Sequence, residues 1–113
     1  MYNYFFITPF PLIVKSILNE SILYQAQKKK IVEYKVINLF DYGIGRYNKI
    51  DDYPFGGGEG MVLKPEPLFN AIEKIFSKYG NIDFEIIFPT PDGKKLDQKK
   101  SIELTKNKKI IFI

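Results

Sequence analysis

Residues 82–113 read IDFEIIFPTPDGKKLDQKKSIELTKNKKIIFI, and this stretch decides the fold class. "IDFEIIFP" is a short apolar run closed by proline, the pattern of a buried strand. "TPDGKK" has the Pro-Asp-Gly composition of a turn. Asp97 stands where an N-cap carboxylate would open a short helix running through Thr105. "KKIIFI" is a further apolar strand. Strand, turn, helix and strand in this order imply parallel strands joined by a crossover.

The residues upstream repeat the alternation. "YNYFFIT", Tyr2 to Thr8, is an aromatic strand that stops at Pro9. Leu12, Ile13, Ile17, Leu18, Ile22 and Leu23 recur at near-helical spacing. Asn19 and Ser21 divide them into two short helices, and the cationic run ending at Lys30 suits a helix C-terminus. "IVEYKVINL" is the second strand. Pro65 suits the first turn of a helix. Leu68, Ile72, Ile75, Phe76 and Tyr79 line one face of that helix, and Gly80 closes it. The expected architecture is α/β, a parallel sheet with flanking helices. The last strand reads either as an edge strand or as one that stops where a site would normally be built, beyond the carboxyl ends of the strands. Unpaired strands in such a chain would leave an exposed apolar sheet edge, prone to self-association.

Between Asn38 and Gly60 no regular period is visible, which is long for a connection and points to function or mobility. The segment holds "DDYPFGGGEGMV", Asp51 to Val62. Gly56, Gly57, Gly58 and Gly60 permit positive φ and leave room for a ligand against bare backbone, or else form a slack hinge. The cluster is neither a Walker A loop nor a dinucleotide fingerprint, because the spacings fail. Asp51 and Asp52 are adjacent, so in an extended segment they point to opposite sides.

Composition narrows the chemistry. The chain has 113 residues, no cysteine and no histidine. Thiolate metal sites and disulfides are excluded, and acid–base work falls to Asp, Glu, Lys or Tyr. The net charge of +4 is weakly compatible with an anionic partner. The Ile-, Lys-, Asn-, Phe- and Tyr-rich composition also suits an A/T-rich genome, which would account for some of the lysine. No run reaches the length of a membrane span, and Pro9 and Pro11 break the apolar start. A cytoplasmic location and no membrane partner are the expectation.

Taken together, "DYGIGRYNKIDDYPFGGGEGMVLKPEPLFNAIE", "FPTPDGKKLDQ" and "ELTKNKKIIFI" resemble the bacterial tRNA (guanine-N1)-methyltransferases that act on the guanosine 3′ of the anticodon. The resemblance covers nearly all of this chain and about the first half of the family's length. It implies a SPOUT-type domain, of which residues 1–113 would be the N-terminal portion, without the later knot loops or the helical tRNA-binding domain. The trefoil knot would therefore not be formed within these residues. It further implies S-adenosyl-L-methionine as cofactor, tRNA as substrate and a homodimer. By the same resemblance Thr90, Pro91, Asp92 and Gly93 approach the adenosine, with Gly58 and Gly60 also on the cofactor. Asp51, Gly57 and Glu59 lie toward the guanine. No catalytic residue is assigned, because the family's general-base aspartate corresponds to a position beyond Ile113. Phe40 stands where the family often has Arg, and Tyr47 where it often has His, so two groups that could touch phosphate or base are replaced. The alternatives are an inactive truncated fragment or a non-catalytic remnant that binds tRNA or a partner.

Overall fold

A computed structural model describes residues 1–45, 50–52, 62–89, 93 and 95–113. They fall into two compact units, Met1–Ile37 with Asn81–Ile113, and Asn38–Gly80.

The first unit is the α/β layer the sequence predicts. Strand β1 (Tyr2–Thr8) leads through helices α1 (Pro11–Leu18) and α2 (Ser21–Lys28) to β2 (Val32–Asn38), whose last residue opens the second unit. Strand β5 (Phe84–Ile87) leads through α4 (Gln98–Leu104) to β6 (Lys109–Phe112). The four strands form one parallel sheet in the order β2-β1-β6-β5. Register is set on both sides of β6: Phe5 and Ile86 both pair with Ile111, and Phe6 and Ile87 both pair with Phe112.

The last strand is thus not at the edge; it fills the centre. Ile110 and Ile111 are consecutive, so they point to opposite faces, and both are buried. The continuous apolar run "IIFI" is what a strand covered on two faces requires. The sheet's edges are β2 and β5.

The helices end where local chemistry stops them. Asn19 is the C-cap of α1, and the chain turns there before α2 begins, as the sequence predicts. After α2, Lys30 N–H donates to the Gln27 carbonyl and Ile31 N–H to the Ala26 carbonyl, each at 3.0 Å. That pair of bonds is a Schellman motif, with Lys30 at φ +61° in the position glycine usually takes. In α4, the Asp97 carboxylate accepts from Lys100 N–H at 2.8 Å, confirming the predicted N-cap.

The second unit contains a short 3-10 turn at Leu39–Tyr42, strands β3 (Asp51–Asp52) and β4 (Val62–Leu63), and helix α3 (Pro65–Tyr79). Among the described residues, the stretch after Asn38 thus holds a 3-10 turn and a two-residue strand, where the sequence shows no regular period. The Asn38 side chain accepts from Phe40 N–H at 3.0 Å and seeds the turn. Helix α3 buries Pro67, Ala71 and Ile75, one stripe at i, i+4 and i+8. The predicted residues Leu68, Ile72, Phe76 and Tyr79 are only half-buried beside it. Gly80 caps α3 with φ +78° and ψ 170°, a conformation almost confined to glycine.

Candidate functional site

A groove of about 740 Å³ lies at the carboxyl end of β5, the place where open parallel sheets hold ligands. Its floor comes from Ile87 and Phe88 at the end of β5 and from Phe112 at the end of β6. One wall is Pro89, which closes the predicted strand, and Gly93, from the predicted turn. The other is α4 and its approach, with Leu96, Lys100 and Leu104. The volume falls within the range of small-molecule sites.

The groove is mainly apolar and has charge at its margins. Glu85, Lys95 and Lys100 contribute the ionisable groups. The Lys100 ammonium stands 3.9 Å from the Glu103 carboxylate. Phe88 and Leu96 are both more than half exposed, so two apolar surfaces are available to a flat ring. An exposed aromatic face is a platform for a nucleobase.

A second cavity, of about 390 Å³, is almost wholly apolar and lies between the sheet and helices α1 and α2. Tyr4, Phe6, Tyr34 and Phe112 line it from the sheet. Phe6 and Phe112 stack at 4.9 Å with a 9° interplanar angle, and Tyr34 meets Phe6 edge-on at 6.1 Å. Partial burial, followed by the neighbouring Tyr2 and Tyr34 hydroxyls, pushes the Tyr4 hydroxyl above its ordinary pKa. Burial does the same to Tyr34, whose hydroxyl donates to the Leu23 carbonyl at 3.1 Å. The lining suits packing rather than polar recognition.

Of the predicted site residues, Gly93 lies on the large groove. Thr90, Pro91 and Asp92 fall outside the described residues, as do Gly57, Gly58, Glu59, Gly60 and Tyr47. Asp51 is the first residue of β3. Strand β3 pairs antiparallel with β4, Asp51 opposite Leu63 and Asp52 opposite Val62. Lys64 N–H adds a bond to the Ile50 carbonyl at 2.6 Å. Asp52 and Val62, the residues on either side of the glycine-bearing stretch 53–61, are therefore paired in a backbone ladder.

The sequence reading missed Phe88, Leu96, Lys100, Leu104 and Phe112 as groove residues. Phe88 and Leu96 sit inside the quoted "FPTPDGKKLDQ" and were within reach. Lys100, Leu104 and Phe112 meet them only through the tertiary return of the predicted crossover, and no local motif says which of its residues face the groove.

Residues 2–113 match the family model described as "tRNA (Guanine-1)-methyltransferase TrmD". Over 108 residues the chain is 46% identical to the tRNA (guanine-N(1)-)-methyltransferase of Staphylococcus epidermidis, covering 96% of this chain and 43% of that protein. The corresponding enzyme of Bacillus subtilis is 43% identical, with 96% and 44% covered. The fold superposes on a crystal structure of the tRNA (m1G37) methyltransferase from Aquifex aeolicus with a TM-score of 0.86 at 38% identity. That match covers 99% of this chain and 50% of the other. The chain thus spans less than half the length of the curated relatives it matches. With the sequence match running nearly end to end and the fold agreeing at this level, the chain belongs to the tRNA (guanine-1)-methyltransferase family.

Proposed function

We propose that these residues form the part of a tRNA (guanine-N1)-methyltransferase that receives S-adenosyl-L-methionine and frames the guanosine 3′ of the anticodon. The observation that supports it is the groove at the end of β5, walled by Pro89 and Gly93 of the matching motif.

The residues present fit an adenosine. Phe88 and Leu96 offer apolar surface to the purine, and the backbone of Thr90, Pro91, Asp92 and Gly93 would supply donors and acceptors to its edge. Gly58 and Gly60, lacking side chains, would let backbone approach the methionine part. Asp51, Gly57 and Glu59 would lie toward the guanine, with the β3–β4 ladder anchoring the segment that carries them. S-adenosyl-L-methionine, when bound, supplies a methyl group on a sulfonium to the guanine N1. This chain's share of the work is positioning, since holding two reactants in line can lower a barrier by several kcal/mol. The family's proton acceptor is assigned to none of these residues.

The family resemblance also implies a homodimer. Phe10, Leu12, Ile13, Ile17 and Ile22, on and beside α1 and α2, are each more than half exposed. That apolar surface supports pairing of two copies. A cytoplasmic setting is part of the same reading; among the described residues no helix is long and apolar enough to cross a membrane.

Isothermal titration calorimetry of the purified chain with S-adenosyl-L-methionine tests the assignment. Binding in the sub-millimolar range is expected. Phe88→Ala should weaken it about tenfold, within the range of base–aromatic stacking. Heat-silent titration at millimolar ligand would end the proposal in favour of a non-binding fragment.

A further inference from the structure

The positive charge of this protein is not spread along it. Residues 94–113 hold seven of the 17 basic residues and two of the 13 acidic ones, a net of +5. The preceding 93 residues therefore sum to −1. A lysine excess from codon bias would be uniform and would not deplete acids locally. The excess instead follows one structural feature, helix α4 and its two flanks.

Lys95 precedes α4 and lines the groove, Lys99 lies on the helix, and Lys106 and Lys108 follow it. All four are exposed. Helix α4 is about 10 Å long at 1.5 Å per residue, so the lysines stand before, on and after one short element. The mount is firm. Asp97 caps the start of the helix at 2.8 Å, and the Tyr2 hydroxyl donates to the Thr105 carbonyl at its end at 2.9 Å. Lys109 is engaged elsewhere, its ammonium near the Ile82 carbonyl and over the Phe84 ring.

We infer that the lysine stripe along α4 is an RNA-backbone surface, leading to the groove at the end of β5. The inference rests on the reading of the chain as part of a tRNA-modifying enzyme. The stripe supplies sequence-independent attraction, as Lys–phosphate contacts do. An anionic membrane is a poorer occupant. The helix has seven residues, and the lysines sit on its approach and exit as well as on the helix itself.

The test measures binding of a fluorescein-labelled anticodon stem-loop RNA by anisotropy, from about 50 to 200 mM salt. Three proteins are compared: the unaltered chain, Lys99→Gln/Lys106→Gln/Lys108→Gln, and Lys28→Gln/Lys29→Gln/Lys30→Gln at the end of α2. Both triples remove three exposed charges, and none of the six lines the groove. The α4 triple should lower the slope of log affinity against log salt by about two to three and weaken binding at least about tenfold at low salt. The α2 triple should leave the slope within one unit. Equal losses in the two triples would overturn the inference. So would absence of RNA binding by the unaltered chain, or binding to phosphatidylserine vesicles without binding to RNA. Calorimetry with S-adenosyl-L-methionine on the α4 triple separates the two readings. Retained cofactor binding alongside a failed RNA result removes the stripe and leaves the groove assignment standing.

Discussion

At the scale of single residues, backbone conformation shows where this sequence departs from the easiest solution. Lys30 ends α2 in the left-handed region at φ +61°. An L-residue there brings its Cβ toward the following carbonyl, a cost of about 1–2 kcal/mol that glycine avoids. The sequence showed a cationic helix end but not this, because the motif's usual marker, glycine, is missing. Lys30→Gly should therefore stabilise the protein by about 0.5–1 kcal/mol, after allowing for glycine's larger entropy when unfolded. Lys30→Ala should not, since the strain would remain. Urea denaturation midpoints of the three proteins check this, and equal shifts for Gly and Ala would refute the strain account. Gly80 is the converse case. Its position after the apolar stripe of α3 made it legible as a helix stop, and its φ of +78° explains why glycine is there.

At the scale of elements, the sheet strands and the helices could be read because burial leaves a period or an apolar run. Strands β3 and β4 could not. Each has two residues, too short for alternation to register, and their pairing depends on a ladder closed across a gap of nine residues. The 3-10 turn after β2 was hidden for a similar reason: a single side-chain bond from Asn38 organises it. What the strands share on one face is an aromatic cluster, and it makes a pH prediction. Burial raises the Tyr4 and Tyr34 hydroxyls above the ordinary tyrosine value of about 10. Below that pH both folded and unfolded chains keep these protons, so the contribution to stability is complete. As pH climbs past 10 the unfolded chain ionises first, the folded chain holds more protons, and stability falls. Tyr4→Phe should leave stability near neutral pH little changed and reduce the decline above pH 10. Tyr34→Phe should additionally lose about 0.5–1.5 kcal/mol at neutral pH, because it deletes the bond to the Leu23 carbonyl. Thermal melts from pH 8 to 11 decide it; identical pH profiles for the unaltered and Tyr4→Phe proteins would contradict the coupling.

At the scale of the whole molecule, the fold class was legible and the strand order was not. Alternating strands and helices specify a parallel sheet, yet they do not say that β6 inserts between β1 and β5. Placing the last strand in the centre changes where unsatisfied apolar surface should be sought. The sequence suggested a sheet edge. Edge strand β5 does expose Ile86, but the larger concentration is on α1 and α2, where Leu12 and Ile22 are 79% and 78% exposed. Neither residue lines the cavity beneath those helices, so replacing them leaves the packing inside untouched. Leu12→Glu combined with Ile22→Glu puts charge on that surface, and a charge buried without a partner costs several kcal/mol. If two copies pair through this face, the unaltered chain should sediment as a dimer at micromolar concentration and the double variant as a monomer. Circular dichroism should show both folded alike. A unaltered chain that stays monomeric up to about millimolar concentration would remove the face from consideration, as affinity that weak is worth only about 4 kcal/mol. A dimer that survives both glutamates would move the contact to another surface, with the β5 edge next to be tested by Ile86→Lys.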